Sequence, residues 1–175
     1  MIPELTRVAE ADYLSGIATA PIDQIRSMRS NCADLENGAS FVRRLAQGRL
    51  DLLAEESKRR AEGAGGSLGA LVDGLADTLS DGVRAPGSGR IDQELDPPDH
   101  VVTPLTAVLD SRVPPSVVTS VAELGDDELS AAVIALRDFE EELSAARRSL
   151  HSTIDALNNE FARRIAAGES PAGLG

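Results

Sequence analysis

Ten polar side chains occur in two copies of one spaced pattern, and their chemistry suits a nucleotide ligand. The pattern is E-x3-S-x2-R-x3-Q-x3-D, with His in place of Gln in the second copy. Arginine offers a planar fork of donors that fits phosphate or the O6/N7 edge of guanine. A carboxylate accepts from the guanine N1–H and N2–H2 groups, while Ser and Gln can hydrogen bond to phosphate or ribose. Motif 1 is Glu36, Ser40, Arg43, Gln47 and Asp51; motif 2 is Glu140, Ser144, Arg147, His151 and Asp155.

Both motifs need long helices to bring their residues together. Steps of three and four residues place side chains on one face of an α-helix. Each motif residue directly follows an apolar residue of a similar repeat, which is typical of a coiled-coil packing face, here called the seam. In both helices the polar stripe therefore flanks the seam on the same side. The seams run through Ile25, Met28, Cys32, Leu35, Ala39, Val42, Ala46 and then Leu50 or Leu53, and through Leu129, Ala132, Leu136, Phe139, Leu143, Ala146, Leu150 and then Ile154 or Leu157.

The two seams predict an all-α fold, a long antiparallel two-helix coiled-coil hairpin with a short extra helix and a flexible connection. Facing seams bring the two motifs side by side and pointing in opposite directions, which makes a pseudo-two-fold site. The predicted segments are an N-terminal segment 1–20, helix one 21–62, a Gly/Pro-rich connection 63–124 with a short amphipathic helix, helix two 125–168, and a tail 169–175.

The connection has the least regular pattern. Residues 82–117 are rich in Gly, Pro and Asp and are interpreted as partly disordered, with His100 as a solvated loop residue. In helix one, Gly38 and Gly48 lie beside motif residues. This indicates either close approach of a ligand or partner backbone, or sequence drift that the helix tolerates. Each glycine costs about 1 kcal/mol of helix propensity relative to alanine. The short amphipathic helix is predicted from Leu68, Leu71, Val72, Leu75 and Leu79.

The composition narrows the class of partner. The net charge is −12, the pI is near 4.5, and aromatic residues make up only 2%. The charge argues against direct binding of DNA or anionic membranes and favours a basic macromolecular partner, unless it serves only solubility. Cys32 lies on the seam and is expected to be a small buried core residue. Without a secretory pattern or a membrane-spanning apolar run, the sequence predicts a cytoplasmic protein.

Three other uses of the motif residues are possible. A structural coiled-coil adaptor would use the motifs as ladders of polar pairs between helices. A hydrolase would use Ser144, His151 and Asp155, yet no sharp turn presents the serine and no oxyanion hole is apparent. His151 and Asp155 offer part of a metal site, but the sequence shows no third and fourth ligands to match. We therefore expect a binding protein that is not an enzyme and holds no metal.

The doubled motif on two long helices resembles the RsiG family of actinobacterial anti-sigma factors. The resemblance covers both helices and their approach segments, Tyr13–Gly16 and Glu123–Glu128. It implies that the motifs bind a dimer of cyclic di-GMP, a regulatory ligand, with no cofactor. It further implies that the loaded protein sequesters WhiG, a FliA-like sporulation sigma factor, and so represses sporulation transcription. Because one chain carries both motifs, we expect a monomer before complex formation.

The resemblance also assigns the site residue by residue. Motif 1 is expected to form one half-site and motif 2 the other. By the chemistry of the side chains, the guanine readers are expected to be Arg43, Asp51, Arg147 and Asp155. His151 departs from the family's Gln. Imidazole still donates one hydrogen bond and can become cationic near phosphate, which predicts binding that is weaker or depends on pH.

Overall fold

The computed structural model describes residues 2–10, 12–63 and 97–170. These ranges contain helices and no strand, so the prediction of an all-α fold built on two long helices is confirmed. The elements are α1 (Pro3–Val8), α2 (Ile22–Ala61), α3 (Asp99–Arg112), α4 (Pro115–Thr119), a short 3-10 helix (Val121–Glu123) and α5 (Asp126–Ala166).

The ends of both long helices carry the expected start and stop signals. Helix α2 follows Pro21, has an acidic first turn and a basic last turn, and ends before Gly63 at φ +67°. Helix α5 has the same charge distribution and ends before Gly168 at φ +89°. Acidic first turns and basic last turns complement the helix dipole, and glycine adopts the left-handed conformation without strain.

Two compact units make up the chain. The first contains Met1–Arg43, Pro97–Val108 and Glu141–Gly175, and the second contains Arg44–Asp96 and Leu109–Glu140. Helices α2, α3 and α5 each contribute residues to both units.

In the first unit, α2 and α5 pack antiparallel. Arg29 of α2 contacts Asn158 of α5, whereas Glu36, farther along α2, contacts the earlier residue Arg147. Most of the expected seam of this unit is buried, while Met28 and Ala146 are half-buried, and Cys32 is a fully buried core residue, as predicted. The buried seam residues of this unit are Ile25, Cys32, Leu35, Ala39 and Val42 of α2 and Leu143, Leu150 and Leu157 of α5.

The N-terminal segment is fastened to the end of α5 within the first unit. Arg164 is only 8% exposed, and its Nη2 donates to the carbonyl oxygens of Ala18 at 2.6 Å and Ala20 at 3.2 Å. The hydroxyl of Tyr13 lies 3.7 Å from Sγ of Cys32 on α2. A segment with little pattern of its own is thus held by polar contacts to both long helices.

In the second unit the same two helices again run antiparallel. Gln47 contacts Glu140, and Arg60, later in α2, contacts Asp126 at the start of α5. The end of α3 is fixed to α2 by Arg49, which donates to Asp110 at 2.6 Å and to the carbonyl oxygen of Val113 at 2.9 Å. The buried seam residues here are Ala46 and Leu53 of α2 and Leu129, Ala132, Leu136 and Phe139 of α5.

The prediction of partial disorder in the connection is wrong for two segments. Residues 99–112 form α3 and residues 115–119 form α4, although the Gly-, Pro- and Asp-rich composition favoured disorder. His100 is exposed as expected, but lies in the first turn of α3 and not in a loop. The amphipathic segment 68–79 and the rest of the connection to residue 96 lie outside the described residues. Helix α3 is stabilised by a buried face of apolar residues at steps of four: Val101, Leu105, Leu109 and Val113, the last just beyond its end.

Close approach at Gly38 involves a helix of the same chain. A Cβ added to Gly38 would lie 2.5 Å from Cγ1 and 2.8 Å from Cβ of Val101 on α3. Around Gly48, by contrast, no described atom lies within 4 Å of an added Cβ. Gly38 is therefore explained by packing of α3, and nothing in the described structure requires glycine at position 48.

We predict opposite effects of alanine at these two glycines. Gly38→Ala forces the stiff, branched Val101 and its helix to shift, which should lower the free energy of unfolding by about 1–3 kcal/mol. Gly48→Ala should raise it by roughly 0.5–1 kcal/mol through helix propensity. Urea unfolding of the two variants beside the unmodified chain measures both changes. Equal effects would contradict the close packing of α3 on α2.

A buried carboxylate organises the end of α2 in the second unit. Glu56 has no exposed surface and accepts hydrogen bonds of 2.7 Å from Arg59 and Arg60. Arg60 also donates to Asp126 at 2.7 Å and to the carbonyl oxygen of Val121 at 3.1 Å. Hydrogen bonds from Arg59, then Arg60, lower the pKa of Glu56 to about 2, against the opposing effect of burial.

The lowered pKa predicts a loss of stability in acid. Because the folded-state pKa is below the unfolded value, the contribution of Glu56 is complete above about pH 4.5 and disappears as pH falls toward about 2. Glu56→Gln should therefore cost on the order of 2 kcal/mol at pH 7 and progressively less below pH 4.5. Urea unfolding across this range tests the change, with the exposed Glu62→Gln as control. A pH-independent cost would show that charge is not the cause.

Candidate functional site

The ten motif residues are divided between the two units. Seven lie in the first unit and three in the second, so each group is described within its own unit. The first unit contains Glu36, Ser40, Arg43, Ser144, Arg147, His151 and Asp155, and the second contains Gln47, Asp51 and Glu140.

In the first unit, one carboxylate oxygen joins the two motifs. Oε1 of Glu36 accepts hydrogen bonds from Nε and Nη2 of Arg147 at 3.0 and 2.7 Å. The same oxygen lies 3.2 Å from Nε2 of His151. The first residue of motif 1 therefore contacts the third and fourth residues of motif 2, which is the juxtaposition that antiparallel pairing requires.

The second unit contains the reciprocal pair. Nε2 of Gln47 donates to Oε1 of Glu140 at 3.3 Å. Gln47 is the fourth residue of motif 1 and Glu140 the first of motif 2, so the pairing matches that of His151 with Glu36. A first-to-fourth contact between opposite motifs thus occurs in each unit. His151 replaces Gln without loss of this contact.

Exposure differs along the motifs in a way that suits ligand binding. The side chains of Glu36 and Arg147 are 24% and 23% exposed, which strengthens their charge interaction relative to water. His151 is 57% exposed, and Asp51 and Asp155 are also exposed. The partly desolvated arginine is thereby held by a carboxylate, while the aspartates remain accessible to donors of a ligand.

Arg43 is also half-buried within the first unit. Its side chain makes polar interactions, but its Nε is buried without a hydrogen-bond partner among the described residues. Ser40 and Ser144 are half-buried in the same unit. The first unit therefore presents arginine, carboxylate, hydroxyl and imidazole groups on the motif faces of both helices.

Helix α3 packs away from the motif face. In the first unit it approaches α2 at Gly38, two residues after Glu36, and in the second it is held by Arg49, two residues after Gln47. Side chains two residues apart on a helix point in nearly opposite directions. Within each unit, the contact with α3 and the motif thus occupy different sides of α2.

A catalytic triad does not fit the helix geometry. Ser144 and His151 are seven residues apart on α5, a rise of about 10 Å. A nucleophile and its base need direct hydrogen-bond distance. The structure instead places Nε2 of His151 against Glu36. Among residues 2–10, 12–63 and 97–170, no group of three or more His, Cys, Asp or Glu residues is placed to hold a metal ion.

The polar face extends beyond motif 2, which sequence analysis missed. Nε of Arg29 donates to Oδ1 of Asn158 at 2.7 Å, and the guanidinium carbon lies 4.5 Å from the centre of the Phe161 ring. Arg29 is seven residues before Glu36, and Asn158 is seven residues after His151. Extending each motif by one heptad would have identified the Arg29–Asn158 contact.

A comparison with known families identifies the chain. The sequence model of the RsiG-like family matches residues 11–79 and 116–174, more than half of the chain. The chain belongs to the RsiG-like family. Each matched segment contains one motif, and membership makes the chain an anti-sigma factor with a sigma factor as its partner. No curated protein matches the chain. In the described part of this RsiG-like protein, no helix is long and apolar enough to cross a membrane.

We predict measurable energetic coupling between the motifs in the absence of ligand. Glu36→Ala and Arg147→Ala should each lower the free energy of unfolding by about 1 kcal/mol, because each removes a half-buried, charge-assisted contact. A double-mutant cycle should give a coupling energy of about 0.5–1 kcal/mol. The neighbouring exposed Arg148→Ala, combined with Glu36→Ala, should give almost none. Zero coupling to Arg147 would contradict the observed pairing.

Proposed function

We propose that this RsiG-like anti-sigma factor binds a dimer of cyclic di-GMP through its two motifs. In the proposed loaded state it sequesters a WhiG-type, FliA-like sigma factor and so represses sporulation transcription. The observation that carries the proposal is the contact of two motif 2 residues with Oε1 of Glu36 in motif 1. This oxygen accepts hydrogen bonds from Arg147 and lies 3.2 Å from Nε2 of His151. Motif residues far apart in the chain thus lie together on one exposed face of the first unit.

The chemistry of this face fits a guanine nucleotide. Glu36 accepts from Nε and Nη2 of Arg147, so it orients the guanidinium and leaves Nη1 for a phosphate oxygen or guanine O6. The exposed Asp155 offers two acceptor oxygens for guanine N1–H and N2–H2. In the second unit, the exposed Asp51 offers acceptor oxygens in the same way, and Gln47 with Glu140 contributes a paired amide and carboxylate.

The net negative charge suits a basic sigma-factor partner, and the nucleotide would act by favouring the conformation that binds it. A chain with a net charge of −12 attracts the basic surfaces that a DNA-binding sigma factor uses. In this proposal the nucleotide orders the motif residues and favours the sigma-binding conformation, because a ligand shifts a population toward the state that it binds more tightly. The protein acts by binding alone, without enzymatic turnover or a cofactor.

The second candidate is a structural coiled-coil adaptor without a nucleotide ligand. It is favoured by one observation: Glu36 with Arg147 and Gln47 with Glu140 already form polar pairs between the helices. Such pairs would then serve only the register of the two helices. The two candidates predict different effects of removing a motif arginine. An adaptor would lose only stability, whereas a nucleotide-binding protein would also lose affinity for its ligand.

We predict saturable binding of about two cyclic di-GMP molecules per chain by isothermal titration calorimetry. Arg147→Ala should weaken binding by about 100-fold, because a charge-assisted contact to the ligand is worth about 1.5–3 kcal/mol. Arg163→Ala is the matched control: it removes the same charge from an exposed position of α5 outside motif 2. Circular dichroism should show that both variants remain helical.

Titration with a FliA-like sigma factor tests the second half of the proposal. Complex formation should be tighter with cyclic di-GMP, and Arg147→Ala should abolish this gain. No binding heat with cyclic di-GMP, together with sigma binding that is indifferent to the nucleotide, would overturn the proposal and favour the adaptor.

A further inference from the structure

We propose that Arg29, supported by Phe161 and Asn158, is an additional guanine-stacking residue at the motif 2 end of the site. This inference rests on the proposed nucleotide binding. It adds a residue outside both motifs and makes the two half-sites unequal.

The local geometry gives Arg29 a fixed, flat cationic surface. Its guanidinium carbon lies 4.5 Å from the centre of the Phe161 ring, and Nε donates to Asn158 at 2.7 Å. Stacking on an aromatic ring and a hydrogen bond hold the plane of the guanidinium before any ligand arrives. The Nε–Asn158 bond is the one hydrogen bond of Arg29 to the described residues, so both Nη groups keep donors for a ligand.

Arg29 lies where it can contact a guanine bound to motif 2. Asn158 follows Asp155 by three residues on α5, and residues at this spacing are neighbours on a helix surface. A guanine whose N1–H and N2–H2 groups are held by Asp155 therefore lies beside the contact of Asn158 with Arg29. The guanidinium can stack on that base and donate to its O6/N7 edge.

The two positions equivalent to Arg29 and Asn158 at the end of motif 1 carry no such group. The position seven residues before Glu140 is Val133, and the position seven residues after Gln47 is Ala54. Neither side chain can stack as a cation or donate a hydrogen bond. Arg29 is therefore not part of the repeated pattern, and it favours the guanine held by Asp155 over the one held by Asp51.

The test is isothermal titration of the full chain with cyclic di-GMP, analysed as two binding steps. Arg29→Ala should weaken one step by about 10- to 100-fold, the range expected for loss of a base-stacking side chain, and leave the other step nearly unchanged. Arg163→Ala, an exposed arginine of the same charge outside the motifs, should change neither step. A purely structural role of Arg29 would lower the melting temperature without this selective loss.

Arg29→Lys keeps the charge and a donor for Asn158 but lacks the planar group, so it tests stacking in a variant that should fold. We expect it to bind nearly as weakly as Arg29→Ala. Binding equal to that of the unmodified chain would show a charge contact to phosphate and overturn the stacking assignment.

If neither variant alters a step while the unmodified chain binds, the inference alone fails. If the unmodified chain does not bind cyclic di-GMP, the proposed function fails and the inference fails with it.

Discussion

Apolar side chains of α2 and α5, mainly leucine and alanine, are buried within each unit, and this burial stabilises the antiparallel pairing of the two helices there. Aromatic residues contribute little to this burial: they make up only 2% of the chain, and Phe139 is the largest fully buried side chain among the described residues. Apolar burial is non-directional, so it supplies stability without itself selecting polar partners. The polar residues directly beside the seam supply that selection. Glu36 can accept from Arg147 only in this register.

In the proposed function, the motif contacts combine a structural role with ligand binding. Glu36 with Arg147 and Gln47 with Glu140 link the helices within their units, and the same side chains offer the donors and acceptors that a guanine nucleotide needs. A ligand must therefore bind beside, or partly replace, contacts that the protein already makes. In the proposed function, such replacement would link occupancy of the site to the arrangement of the helices within a unit, as nucleotide-dependent binding of a sigma factor requires.

Helix α3 and the arginine contacts explain why the motif face stays accessible. Tight packing at Gly38 and the bond from Arg49 to Asp110 place α3 on another side of α2 in each unit. Arg164 in turn fastens the N-terminal segment to the end of α5. None of these contacts uses a motif residue, so the helices are stabilised without occupying the polar face.

Sequence periodicity alone determined the helical class, the two seams and the common face of each motif. In a helix, the spacing between two residues fixes the relative directions in which their side chains point. The helical state of residues 99–112 could not be read in the same way. Their composition favours disorder, and α3 is stabilised by burial of Val101 and Leu109 against distant parts of the chain. Only the tertiary structure decided that Gly38 accommodates α3, that Glu36 holds Arg147, and that Arg29 stacks on Phe161. Each of these contacts joins residues distant in sequence, and their partners depend on packing that no local spacing encodes.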